Sequence, residues 1–310
     1  MKTLPILPDE SAAASNVILG LMRIQDLSDE EIRTLVGTAR DEGINFFDHA
    51  DIYGSPRHGC EARFGEALNL SSSDRESIVI QSKVGIRKGY FDFSKEHILA
   101  SVDESLEALK TDYLDTLLLH RPDTLVEPEE VAAAFDALHA AGKVRHFGVS
   151  NHTPGQIELL KRSLNQPLLI NQVQLSITHS PLFAAGIAAN MATLDQSIDR
   201  DNGLLDYSRL NGMTLQAWSP FQKAFFDGVF IGDREHYAEL NDALDELAKK
   251  YDVTPTGIAV AWITRHPANI QVVLGTTKPE RVRESAAGSD LPLTREEWYR
   301  LFRTAGHTVP

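Results

Sequence analysis

With 310 residues, the chain has room for two modest domains or one large barrel. At 42% hydrophobic and 24% charged it has an ordinary globular balance, with no run of about 20 apolar residues able to span a bilayer. Its 30 Lys and Arg against 44 Asp and Glu leave a formal net charge of -14, which opposes broad attraction to nucleic acid or anionic membrane and leaves any phosphate-bearing ligand to a few placed cations or backbone amides.

The first eight residues are broken by prolines and do not read as a secretory signal, and the single Cys60 excludes an intrachain disulfide framework, so a cytoplasmic setting is expected. The apolar run 16–21 predicts a first parallel strand. Ser28 then caps a helix over 29–42, with Ile32, Leu35 and Val36 at helical spacing and Gly43 as its stop. Next comes Phe46-Phe47-Asp48-His49-Ala50-Asp51-Ile52-Tyr53-Gly54, whose aromatics suit a buried strand and whose polar cluster suits a functional rim. Tyr53 is the candidate proton donor.

A polar loop over 55–59 leads to a helix at 61–70 and a strand at 77–82 that ends at Lys83. Ser94 opens a helix through Lys110, with Ile98, Val102, Leu106 and Leu109 on one face, before a strand at 116–119 that ends at His120. A helix over 127–141 stops at Gly142, and a strand at 144–149 exits into Ser150 and Asn151. A helix over 153–163 and a strand at 168–174 follow. The excursion over 175–202, partly helical at 183–192, is long enough to suggest a ligand-contacting loop.

A short helix at 204–210 precedes a seventh strand at 214–217, which exits into Trp218, Ser219, Pro220 and Phe221 and a second long loop to about Arg234. Helices at 235–251 and 254–266, an eighth strand at 270–274, a helix at 280–287 and a last helix at 294–305 complete the chain. No linker or repeat splits this alternation, and eight mostly apolar strands fit a closed parallel sheet better than an open one. The expectation is one α/β domain over 1–310: a (β/α)8 barrel with long loops at its C-terminal rim and an extra C-terminal helix.

In such a barrel Asp48, Tyr53, Lys83 and His120 converge at one rim. There Lys83 is expected to lower the pKa of Tyr53, Asp48 to hold the ammonium, and His120 to orient a carbonyl oxygen. Singly, each residue has a duller reading: a strand-end acceptor, a surface lysine, a core histidine. Ser150 and Asn151 have a rival role as a helix cap before Thr153. His49, Asp51, His58 and Cys60 include zinc-ligand types but no recognised zinc spacing, and no metal is expected.

Asp48-His49-Ala50-Asp51-Ile52-Tyr53-Gly54 matches the Asp-x-Ala-x-x-Tyr-Gly stretch of the aldo-keto reductases. Lys83 after the third strand and His120 in His120-Arg121-Pro122-Asp123 after the fourth follow in that family's order. The chain resembles an aldo-keto reductase over nearly its whole length. With Gln-Ala-Trp-Ser-Pro at 216–220 and Glu-Trp-Tyr-Arg-Leu-Phe at 297–302, it most resembles the bacterial YdhF-like oxidoreductases.

The resemblance implies a catalytic tetrad of Asp48, Tyr53, Lys83 and His120, and a nicotinamide cofactor, usually NADPH, extended across the barrel mouth. It implies that Ser150, Asn151 and Gln172 meet the carboxamide, that Trp218 stacks on the nicotinamide ring, and that Ser219, Pro220 and Phe221 continue that loop. Gly275, Thr276, Lys278, Arg281, Glu284 and Ser285 match the phosphate and adenosine end. Many relatives carry Lys where this chain has Gly275, so recognition of a 2′-phosphate would rest on Lys278, Arg281 and backbone amides, and NAD(H) stays open beside NADP(H). The implied reaction is reduction of a small aldehyde or ketone to the alcohol, or its reverse. Two other readings compete: a cofactor-binding regulatory module of the same fold, as the potassium-channel β subunits are, and a Schiff-base aldolase using Lys83.

Overall fold

The structure is a computed structural model that describes residues 1–5, 13–224 and 227–310. Residues 6–8 of the proline-broken start and residues 225–226 of the second long loop lie outside the described residues. Eight strands close into a barrel: β1 (Val17–Gly20), β2 (Phe46–Asp48), β3 (Val79–Val84), β4 (Leu114–Leu119), β5 (Val144–Ser150), β6 (Leu168–Gln174), β7 (Thr214–Trp218) and β8 (Gln271–Leu274). Each is parallel to its neighbours, and β8 returns to β1, as Val272 pairs with Val17 and Leu274 with Leu19. The predicted (β/α)8 architecture is therefore the observed one.

The strands bury both faces, which explains their runs of apolar residues. Outward residues such as Leu19, Phe47, Ile80 and Leu117 join the large core beneath the helices. Inward residues Ile18, Phe46, Val79, Leu118, Ile170 and Val273 form a separate small cluster within the barrel. β5 contributes Gly148 near this cluster, because a Cβ there would sit 2.6 Å from Leu118 Cδ2 and 2.7 Å from the Ile170 carbonyl oxygen. Two residues further along the pleat the inward positions turn polar: Asp48 follows Phe46, Gln81 follows Val79, and Gln172 follows Ile170. The rim chemistry thus stands on an apolar plug.

Three small elements were not expected. Thr3–Leu4 pairs antiparallel with Ala14–Ser15, and Ala14 joins the barrel's inner cluster. Ile86–Arg87 pairs with Tyr90–Phe91 beyond β3. Ser71 caps a five-residue helix, Ser72–Glu76, which delivers Arg75 to a buried ion pair on the outside of the barrel. Arg75 Nη2 donates to Asp115 Oδ2 at 2.7 Å and to the Tyr113 carbonyl at 2.9 Å, and its Nη1 donates to the Ile78 carbonyl at 3.0 Å. Asp115 also accepts the Ile80 amide at 2.7 Å and Arg145 at 3.3 Å.

The loop expected to be helical at 183–192 forms its helix earlier, over Pro181–Ile187, with proline in its first turn. The closing helix, Arg295–Thr304, begins in a capping box between Thr294 and Glu297. Its Trp298 stacks on Trp262 of the helix Pro255–Thr264, with ring centroids 4.8 Å apart. The two indoles exchange hydrogen bonds: Trp262 Nε1 donates to the Trp298 carbonyl at 3.1 Å and Trp298 Nε1 to the Trp262 carbonyl at 2.8 Å. Among the described residues no helix is long and apolar enough to cross a membrane.

Candidate active site

The four residues singled out from the sequence meet at the C-terminal ends of β2, β3 and β4. Lys83, 1% exposed, is an inward residue of β3, and its ammonium has three donors to place. They go to Asp48 Oδ2 at 2.7 Å, the His49 carbonyl at 2.8 Å and the Tyr53 hydroxyl at 3.2 Å. The His120 ring stands edge-on to Tyr53, with centroids 5.9 Å apart and planes at 84°. Burial alone would drive the Lys83 ammonium toward neutrality; the charge of Asp48 and the contact with Tyr53 outweigh it and hold its pKa above the ordinary value.

Tyr53 departs from expectation. Burial pushes its phenol up, Lys83 pulls it down, and the net direction is up. The phenol is held neutral and hydrogen-bonded rather than made unusually acidic, which still suits protonation of a developing alkoxide, a far stronger base. His120 lies well below the ordinary histidine range, through burial first and then the cations Lys83 and Arg121, so its imidazole is neutral at pH 7.

The loop carrying Tyr53 is held from below. Gly54 has φ +94°, and a Cβ there would come within 2.8 Å of the Cys60 amide nitrogen and Gln25 Oε1. Asp51, fully buried, accepts from Arg57 Nη2 at 2.7 Å and Ser101 Oγ at 3.0 Å. His58 bridges two acids, with Nδ1 2.5 Å from Glu61 and Nε2 3.0 Å from Glu104. His49 packs its ring edge against Phe64 at 4.8 Å. Asp51 and His58 are thus engaged in supporting the loop, whereas both ring nitrogens of His49 are buried without a hydrogen-bond partner.

Burial would lower the His58 pKa, but the hydrogen bond and charge of Glu61 prevail and raise it. A raised folded-state pKa gives stabilisation that is complete below the unfolded value of 6.5 and is lost as pH rises through the folded value. Thermal unfolding measured from pH 6 upward should therefore show a loss of stability that His58→Gln flattens; an identical slope in the variant would refute this role.

At the exits of β5, β6 and β7 a second group is locked together. Ser150 Oγ donates to the Gln172 carbonyl at 2.8 Å and accepts from Asn151 Nδ2 at 2.8 Å. The remaining Asn151 oxygen accepts the Trp218 indole N–H at 3.0 Å, and Asn151 itself takes φ +60°, a conformation asparagine tolerates. The helix cap is Thr153, in a capping box with Gln156, so capping falls to neither Ser150 nor Asn151.

Asp48, Tyr53, His120 and the platform open into one cleft of about 580 Å³, with Lys83 buried behind them, that continues past Ser219, Pro220 and Phe221 to Gly275, Thr276 and Arg281. Arg23, just beyond β1, also lines it and donates to the Gly275 carbonyl at 3.0 Å. A second cavity of about 520 Å³ shares Arg121, Asn151 and Trp218 with the cleft and is lined further by Gln174, His179 and Asp201.

Residues 16–303 match the Aldo/keto reductase family. The chain belongs to the aldo/keto reductase family. It is 37% identical over 308 residues to the oxidoreductase YdhF of Escherichia coli, covering 96% of this chain and 95% of that protein, in agreement with the YdhF-like pattern in the sequence. It is 33% identical over 305 residues to 6-dehydroglucose reductase of Agrobacterium fabrum, covering 94% of each. An aldo-keto reductase from Klebsiella pneumoniae, crystallised in complex with NADPH, shares the fold with a TM-score of 0.76 over 96% of this chain and 94% of that one, at 23% identity. With its family the protein is an NAD(P)H-dependent oxidoreductase of small carbonyl substrates.

Among the residues matched to the family's cofactor contacts, Ser150, Asn151, Gln172, Trp218, Ser219, Pro220, Phe221, Gly275, Thr276 and Arg281 line the cleft. Lys278, Glu284 and Ser285 do not; Ser285 is buried and donates its hydroxyl to the Arg281 carbonyl at 2.7 Å. Sequence reasoning missed Arg23 and Arg121 as cleft residues. Each follows the predicted end of a strand by one or two positions, the place where a barrel concentrates its chemistry. The cleft fits a nicotinamide dinucleotide: an indole and an amide platform stand at one part and two guanidinium groups at another, while Gln222 holds a buried Oε1 without a partner in the wall.

Proposed function

We propose that this protein reduces a hydroxylated aldehyde or ketone to the alcohol with NADPH, Tyr53 acting as the proton donor. The observation that carries this reading is the Tyr53 hydroxyl at 3.2 Å from a buried Lys83 ammonium, in a cleft that is also lined by Arg23 and Arg281. When bound, the reduced nicotinamide supplies the hydrogen and electron pair taken up by the carbonyl carbon. Ser150, Asn151 and Gln172 hold its carboxamide and Trp218 its ring, while Thr276, Arg281 and Arg23 take the phosphates. Exposed Lys278 and half-buried Glu284 lie next to this end of the cleft and serve the adenosine, whereas Ser285 is buried and bonded to the Arg281 carbonyl.

Tyr53 gives its proton to the carbonyl oxygen as negative charge develops there, and the Lys83 ammonium stabilises the phenolate left behind. Neutral His120 orients the same oxygen by donating a hydrogen bond. The remainder of the substrate extends into the second cavity, where Gln174 Nε2 and Asp201 Oδ2 are buried without partners and suit hydroxyl groups. A hydroxylated substrate also agrees with the name of the Agrobacterium relative. All three Lys83 donors are spent and its charge is favoured, which counts against a Schiff-base amine.

The test is a panel of alkyl and polyhydroxy aldehydes and ketones with NADPH and with NADH, followed by loss of nicotinamide absorbance. Turnover is expected with NADPH in preference to NADH, fastest with hydroxylated carbonyls. Tight NADPH binding without turnover of any carbonyl would overturn the reading and favour a regulatory module.

A further inference from the structure

Beside the catalytic cluster the barrel holds a chain of buried glutamines, of which the proposed mechanism uses only the carbonyl end of Gln172. Gln271 on β8, Gln216 on β7 and Gln81 on β3 are fully buried, and Gln172 on β6 is 3% exposed. Gln271 Nε2 donates to the Ser15 carbonyl at 2.7 Å, and its Oε1 accepts from Gln216 Nε2 at 3.0 Å. Gln216 Oε1 then accepts from two amides at once, Gln81 Nε2 at 2.9 Å and Gln172 Nε2 at 3.0 Å. The second N–H of each goes to the same atom, Asp48 Oδ1, at 2.6 Å from Gln81 and 2.9 Å from Gln172.

The direction of every bond in this chain is dictated from its ends. A backbone carbonyl can only accept, so the Gln271 amide must turn its nitrogen to Ser15 and its oxygen to Gln216. Gln216 must then offer its oxygen upward, which forces both Gln81 and Gln172 to present nitrogen to it and to the carboxylate beyond. Turning any one amide over would set donor against donor, or oxygen against oxygen, among buried side chains, adding unsatisfied groups to the Gln81 Oε1 that already has no partner. Asp48 Oδ1 thereby receives two fixed donors, and only Oδ2 is left for Lys83.

We infer that Gln81, Gln172, Gln216 and Gln271 form a polarity-fixed relay that positions Asp48, and through it Lys83 and Tyr53, from the closed end of the barrel. The relay rests on the proposed roles of the tetrad. Its four members are positioning residues: in this role none of them touches the reacting carbonyl. Gln172 has both its N–H groups committed here, so toward a cofactor carboxamide it has only its carbonyl oxygen to offer.

The test replaces Gln216 by Leu and, separately, Gln271 by Met, the latter at the end of the chain remote from Tyr53. Both are measured for NADPH affinity, for kcat and KM, and for the ionisation of Tyr53, read as tyrosinate absorbance by difference from the same protein carrying Tyr53→Phe. Misplacement of a reacting group by a fraction of an ångström to one ångström costs about 10- to 100-fold in rate, and a loss of that size in kcat is expected, with KM and NADPH affinity within about twofold. The Tyr53 titration should move to higher pH as Lys83 loses its fixed station. Wild-type kcat together with an unmoved Tyr53 titration, in either variant that folds, would overturn the relay. If the parent protein turns over no carbonyl at all, the functional reading fails, while the Tyr53 titration still decides the relay. Gln271→Met carries the decision if Gln216→Leu does not fold.

Discussion

Replacing Tyr53 by Phe is expected to lower kcat by about 10²- to 10⁴-fold, the usual contribution of a positioned acid, with NADPH affinity unchanged. The substitution removes one oxygen and leaves the ring that packs on the core and lies 4.9 Å from the Lys83 ammonium. Lys83 keeps Asp48 and the His49 carbonyl, so no charge is stranded. Its third donor is released to water or to the substrate oxygen, which accounts for residual activity. Steady-state kinetics with NADPH, paired with a cofactor-binding titration, separates the two effects. Full turnover in the variant would remove Tyr53 as the acid and leave that role to the proton-bearing groups beside it, His120 and the Lys83 ammonium.

Replacing Asp115 by Ala should destabilise the protein by about 3–5 kcal/mol, because removing one partner of a buried ion pair leaves the other charge uncompensated. Asp115 and Arg75 are 1% and 6% exposed, and the carboxylate also holds the Ile80 amide, where β3 begins its pairing. The guanidinium of Arg75 would keep its bonds to the Ile78 and Tyr113 carbonyls, which sets an upper bound on the loss. Urea denaturation should show a lower midpoint with an unchanged slope. Activity below the transition should be retained, since this pair lies outside the catalytic cluster. A change under 1 kcal/mol would mean that the neighbouring carbonyls alone satisfy Arg75.

The barrel was legible because most strands are largely apolar runs, and residues at the exits of β2, β3, β4, β5 and β7 make the candidate site: Asp48, Lys83, His120, Ser150 and Trp218. The short elements were not legible. Two-residue strands such as Thr3–Leu4 or Ile86–Arg87 are too brief for a period of two to register. The helix Pro181–Ile187 lies in a loop without a repeating apolar face, and only Pro181 marks its start. The glutamine relay was visible only as scattered polar residues within the strands, as in Val-Ile-Gln-Ser-Lys at 79–83, where a glutamine reads equally well as an outward-facing position. Register with the neighbouring strands, a property of the closed sheet rather than of any one segment, turns those side chains inward. The sense of the Tyr53 shift was missed for a similar reason: a cation nearby can be inferred from sequence order, but the burial that opposes it depends on the packing around the assembled rim.

The three tryptophans divide the molecule optically. Trp262 and Trp298 face each other at 4.8 Å in the packing of the closing helix, whereas Trp218 stands in the cleft wall with its indole nitrogen held by Asn151. Intrinsic fluorescence therefore carries two separable signals: a dimer-like pair that persists as long as the C-terminal helix stays docked, and a lone emitter beside the place where a nicotinamide would absorb its light. On the proposed cofactor placement, Trp218 would report occupancy and the Trp262–Trp298 pair integrity, both followed in one cuvette.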